Sequence, residues 1–132
     1  MNNNLLFVYG SLLDGNNEFG RYLLHNADFV DIAIFKGRLY NCGEYPGAIA
    51  DDAGYDIKGR IYCLNNPAND FDILDDYEGF GAEQIQPNLF IRQLETVTIE
   101  SKSIECWIYL YNLPVNGLTE IITGDYSAYL KA

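Results

Sequence analysis

The runs Phe90-Ile91-Arg92-Gln93-Leu94-Glu95-Thr96-Val97-Thr98-Ile99-Glu100 and Ser103-Ile104-Glu105-Cys106-Trp107-Ile108-Tyr109-Leu110-Tyr111 are two long alternating stretches joined by a polar turn around Ser101-Lys102. A two-residue period sends successive side chains to opposite faces of a strand, so the pair reads as a β-hairpin. Cys106 shares a face with Ile104, Ile108 and Leu110, which assigns it to a core. Upstream, Ile57, Gly59, Ile61 and Cys63 alternate with Lys58, Arg60 and Tyr62 and predict a half-buried strand. Leu5 to Tyr9 reads as a buried strand entering a tight turn at Gly10-Ser11. Phe29 to Phe35 and Gly37 to Tyr40 read as two further strands, and Gly43 to Gly47 as a turn centred on Pro46-Gly47. Helical signals are short. Asn16 or Asn17 caps a segment carrying Phe19, Tyr22 and Leu23; Asn69 to Tyr77 is stopped by Gly79; Ser127 to Lys131 closes the chain. Many strands and few short helices predict an α+β fold with a closed or nearly closed sheet.

The 132 residues suit one compact domain, 1–132, large enough to bury a core without a metal or disulfide staple. Nineteen acidic against 8 basic side chains give a net charge of −11. That excess opposes nucleic acid, whose phosphates need clustered Lys and Arg, and opposes an anionic membrane surface. No apolar run approaches the ~20 residues of a spanning helix. The N-terminal Met-Asn-Asn-Asn lacks the basic segment and cleavage site of a secretory signal, so a cytoplasmic protein is expected, with Cys42, Cys63 and Cys106 reduced and buried. His25 is the single histidine, which argues against a histidine-based metal site and leaves a partly exposed helix-end residue.

Two segments carry chemistry. In Tyr9-Gly10-Ser11-Leu12 the glycine permits a sharp turn whose successive N–H groups can form an anion-binding nest; the alternative is an ordinary strand-ending turn. A nucleophile elbow and a P-loop are excluded by the missing second glycine and lysine. The other segment is Phe71-Asp72-Ile73-Leu74-Asp75-Asp76-Tyr77-Glu78-Gly79. At ~100° per residue, Phe71, Ile73, Leu74 and Tyr77 share one arc, and Glu78 falls inside it. Asp72, Asp75 and Asp76 lie opposite, as a solvated coat. Burial and the helix dipole would both raise the proton affinity of Glu78, as suits a carboxylate that exchanges protons near neutral pH. The competing reading is a frayed helix end with Glu78 in water. Arg60 and Arg92 could pair with a substrate carboxylate, but surface ion pairing within this acidic chain is the favoured reading.

The succession Tyr9-Gly10-Ser11-Leu12, Tyr45-Pro46-Gly47-Ala48-Ile49, Gly59-Arg60-Ile61-Tyr62 and Leu74-Asp75-Asp76-Tyr77-Glu78-Gly79 resembles the γ-glutamylcyclotransferase-like family, in particular its γ-glutamylamine cyclotransferase or AIG2-like branch. The likeness runs from about Leu5 to Tyr111. It implies a small mixed β-barrel flanked by short helices and a cavity lined by the first loop. A glutamate matching Glu78 is implied as general acid/base, with Tyr109 matching a tyrosine near it. Tyr9, Gly10, Ser11, Leu12, Tyr45 and Tyr109 are the expected substrate-binding residues. Where the family usually has a Tyr-x-Arg element, this chain has Phe90-Ile91-Arg92, which bears on substrate choice more than on reaction type.

The implied substrate is a small γ-glutamyl amine or γ-glutamyl amino acid. Its own α-amine attacks the γ-carbonyl, giving 5-oxoproline and a free amine, so no protein nucleophile, metal or cofactor is called for. Glu78 would deprotonate the ammonium and protonate the leaving amine, while the N–H groups of Gly10, Ser11 and Leu12 hold a carboxylate or oxyanion. Two other readings compete: a non-catalytic binding module on the same fold, and a glycosidase pairing Glu78 with Asp75, Asp76 or Glu44.

Overall fold

The computed structural model describes residues 3–10 and 17–131. In chain order its elements are β1 (Leu5–Val8), α1 (Glu18–Asn26), β2 (Ala27–Asn41), β3 (Pro46–Ala50), β4 (Tyr55–Leu64), α2 (Pro67–Glu78), β5 (Phe90–Ile99), β6 (Lys102–Tyr111), β7 (Thr119–Glu120) and α3 (Tyr126–Lys131). Strands β2, β4, β1, β6 and β5 are successive neighbours, and β5 returns to β2 through Ile34 and Thr98, closing a five-stranded mixed barrel. β1 and β6 run parallel, and the other pairs are antiparallel. β3 and β7 extend the sheet from β2. The expected closed α+β architecture is therefore present.

Strand alternation divides the apolar side chains between two clusters. Phe7 on β1 and Cys106, Ile108 and Leu110 on β6 pack with Phe35, Ile57, Ile61 and Val97 in one cluster. The intervening positions, Leu6, Val8 and Tyr109, join Leu23 of α1 and Phe71 and Leu74 of α2 in the other. The barrel wall is thus apolar on both faces, and the helices cover its outer side.

Local sequence explains the helix ends. Asn17 caps α1 by accepting from the Phe19 and Gly20 N–H groups at 2.8 and 3.2 Å. α2 begins at Pro67 and ends at Gly79, whose φ of 73° is the left-handed conformation that glycine adopts at no steric cost. The N–H groups of Gly79 and Phe80 return to the carbonyls of Asp76 and Asp75. Asp70, 1% exposed, accepts from the Asn66 N–H at 3.0 Å and the Tyr22 hydroxyl at 2.5 Å, and so ties α2 to α1. Burial and this bond push the Tyr22 hydroxyl up to about 12.

Several sequence readings need correction. The two strands expected on either side of Lys36 are one, β2, with a bulge between Phe29 and Asp31. Lys36 points outward and pairs with Asp56 at 2.8 Å, so it does not interrupt the strand. Pro46-Gly47 does not centre the turn; it opens β3, while Cys42 and Tyr45 close the turn with a 3.0 Å backbone bond. Proline is tolerated at the first residue of an edge strand, where no ladder donor is needed. The hairpin turn falls at Glu100-Ser101, and Lys102 already belongs to β6. Cys106 is buried as expected, but Cys42 and Cys63 are only half-buried; all three are free.

Candidate active site

The end of β1, the start of β3, the last turn of α2 and the start of β5 surround a cavity of about 170 Å³. Its walls are aromatic and aliphatic: Tyr9, Tyr45, Pro46, Tyr77, Leu89, Phe90 and Tyr109 among them. Among the described residues, Glu78 is the one carboxylate that lines it. The arc position read from the helix projection therefore aims Glu78 into this space. The side chain is half-buried, and no hydrogen bond to it is found among the described residues. Removal from water pushes its carboxyl from 4.5 up to about 7, with the Asp75 charge adding to the effect. At neutral pH such a group is divided between its acid and base forms.

Gly10 lines the cavity opposite the start of β3, and a Cβ there would stand 2.6 Å from Pro46 Cγ. Glycine is required by this close approach. Ser11 and Leu12, the remaining expected loop residues, lie outside the described residues.

Tyr9, Tyr45 and Tyr109 all reach the cavity, with different roles. The Tyr9 hydroxyl donates to the Tyr109 carbonyl at 2.7 Å and accepts from the Ala48 N–H at 3.1 Å. Burial holds it well above the usual phenol range. The Tyr109 hydroxyl donates to Asp75 Oδ1 at 2.6 Å, and burial followed by this bond keeps it protonated. Tyr45 is half-buried with its ring 5.9 Å from that of Phe90, and burial raises its hydroxyl too. The Glu78 charge opposes ionisation of all three tyrosines.

Asp75 corrects the expectation of a solvated acidic coat. It binds Arg92 through Nε–Oδ1 at 2.8 Å and Nη2–Oδ2 at 3.1 Å, and it accepts from Tyr109. Arg92 is accordingly no surface ion-pair partner; its side chain is 17% exposed. Asp72 and Asp76 do face solvent. With Asp75 engaged, and Asp76 and Glu44 exposed and absent from the cavity wall, the paired carboxylates of a glycosidase are not assembled among the described residues. Sequence reasoning missed the Asp75–Arg92 pair, Tyr77 and Leu89. For the first, the available signal was an aspartate three residues before the inward glutamate.

The gamma-glutamyl cyclotransferase, AIG2-like family matches residues 6–128. The gamma-glutamylcyclotransferase family protein YtfP of Escherichia coli K12 is 32% identical over 124 residues, which is 92% of this chain and 94% of that protein. The solution NMR structure of ytfP from Escherichia coli has a TM-score of 0.64 at 29% identity, covering 92% of this chain and 95% of that one. A crystal structure of an AIG2-like protein from Mus musculus shares the fold, with a TM-score of 0.65 and 21% identity over 84% of this chain and 80% of that one. The chain belongs to the gamma-glutamyl cyclotransferase, AIG2-like family.

Proposed function

We propose that this protein converts a γ-glutamyl amine or γ-glutamyl amino acid to 5-oxoproline and a free amine, with Glu78 as the proton-transfer group. The observation that carries the reading is Glu78, lifted to about 7 and, among the described residues, the one carboxylate in an otherwise aromatic and aliphatic cavity. Glu78 in its base form takes a proton from the substrate α-ammonium. The freed nitrogen attacks the γ-carbonyl carbon, forming the lactam C–N bond. The original amide C–N bond then breaks as the leaving nitrogen receives that proton from Glu78. The regenerated carboxylate takes the second surplus proton from the lactam nitrogen and passes it to the released amine, which departs as an ammonium. The nucleophile belongs to the substrate, so the protein's task is to fold the substrate back on itself and carry protons from the attacking to the leaving nitrogen. The Gly10 N–H, with those of Ser11 and Leu12 that follow it, is assigned to the substrate carboxylate or the developing oxyanion. Gly10 supports this by lining the same cavity as Glu78. No cofactor enters the scheme.

The test is incubation of the protein with a panel of γ-glutamyl amines and γ-glutamyl dipeptides, following 5-oxoproline. Release from at least one class is expected, and no release across the panel overturns the reading.

A further inference from the structure

Arg92 is built into the barrel wall with more care than a surface ion pair needs. Its guanidinium lies 4.0 Å from the Phe71 ring centroid and 4.6 Å from that of Trp107, with Phe80 at 5.9 Å. Stacking among rings fixes the plane of the fork. Both oxygens of Asp75 are taken by that fork, and Oδ1 also receives the Tyr109 hydroxyl. Asp75 and Glu78 are three residues apart on α2, neighbours on a helix surface where like charges oppose one another. The Asp75 side chain is 18% exposed, so water screens its charge poorly.

We infer that Arg92 is a positioning residue for Glu78, acting through Asp75: its fork quenches the like charge beside Glu78 and pins the last turn of α2 against β5. Among the described residues, the groups facing Glu78 are Asp75 on its own helix, Tyr45 from the turn before β3, Tyr9 from the end of β1 and Tyr109 from β6. Tyr77 shares the cavity wall. Those three facing tyrosines are raised and stay neutral near pH 7. Among the described residues, the Asp75–Arg92 pair is therefore the unit whose charge can act on Glu78 in that range. Removing Arg92 strips the counter-charge and makes Glu78 hold its proton more tightly. Removing the Asp75 charge does the reverse. The catalytic consequence rests on the proposed role of Glu78; the electrostatic link does not.

The experiment follows the Glu78 carboxyl directly, by NMR titration of protein labelled with ¹³C at glutamate carboxyls, in wild type, Arg92→Met, Asp75→Asn and the double variant. Methionine keeps a flexible stem between the rings, and asparagine keeps the shape of Asp75. The Glu78 midpoint is expected to rise by about one pH unit in Arg92→Met and to fall in Asp75→Asn, with the double variant between them. An unchanged midpoint in folded Arg92→Met overturns the inference. If that variant does not fold, an unchanged midpoint in Asp75→Asn overturns it equally. Shifted midpoints in a protein that releases no 5-oxoproline would reject the proposed reaction and keep the link. Unchanged midpoints with intact turnover would do the opposite.

Discussion

The Tyr9 hydroxyl donates to the main-chain carbonyl of Tyr109 at 2.7 Å, just beyond the pairing of β1 with β6, the parallel pair of the barrel. It also receives the Ala48 N–H of β3, so one phenol joins three strands at the mouth of the cavity. The side chain of Tyr109 points the other way, to Asp75 on α2. Tyr9 thus offers a ring to the cavity while its hydroxyl holds the wall.

Tyr9→Phe keeps the ring and orphans a buried N–H and a carbonyl. We expect a loss of about 1–3 kcal/mol of stability, read by urea denaturation, because each unpaired buried group costs its desolvation. Turnover per folded molecule should change far less. A variant as stable as wild type would remove the structural role given to this hydroxyl.

Glu78 links activity to stability with a definite sign. Its folded-state carboxyl at about 7 lies above the ordinary 4.5, so the folded protein binds that proton more tightly than the unfolded chain. The stability this lends is complete below pH 4.5 and is lost as pH rises through 7. Glu78→Gln has no such loss. The variant should therefore be more stable than wild type at pH 8, by about 1–3 kcal/mol, with the gap closing toward pH 4.5. Equal stabilities at pH 8 would contradict the perturbed carboxyl.

Gly10→Ala tests the loop. The added Cβ meets the Pro46 ring at 2.6 Å, so the loop or the start of β3 must move. A displacement on the order of 1 Å at a positioning element lowers kcat/KM by about 10- to 100-fold, while the melting temperature changes little. Unaltered kcat/KM would take Gly10 out of the binding machinery.

Much of this arrangement was legible in the sequence because it rests on period and punctuation. The alternation of residues 90–111 predicts the hairpin, Gly79 predicts the end of α2, and the inward arc of Glu78 follows from helical geometry alone. Asp75 was misread for a physical reason. A helix projection gives direction about the axis, but not which direction faces water. α2 lies beside the outer faces of β5 and β6, so the arc holding Asp75 meets Arg92 and Tyr109. The burial of Asp70 is likewise invisible to a helix projection, since it depends on Tyr22 arriving from α1. Pro46-Gly47 opens β3 because a position on the sheet edge relaxes the demand for a donor.

The most direct test of the central claim is the pH dependence of kcat/KM for 5-oxoproline release, for wild type and Glu78→Gln on the same γ-glutamyl substrate. The account predicts a limb near pH 7 in wild type, set by the Glu78 carboxyl, and a fall of about 10²- to 10⁴-fold in the variant. A Gln variant with wild-type kcat/KM and the same limb would contradict it.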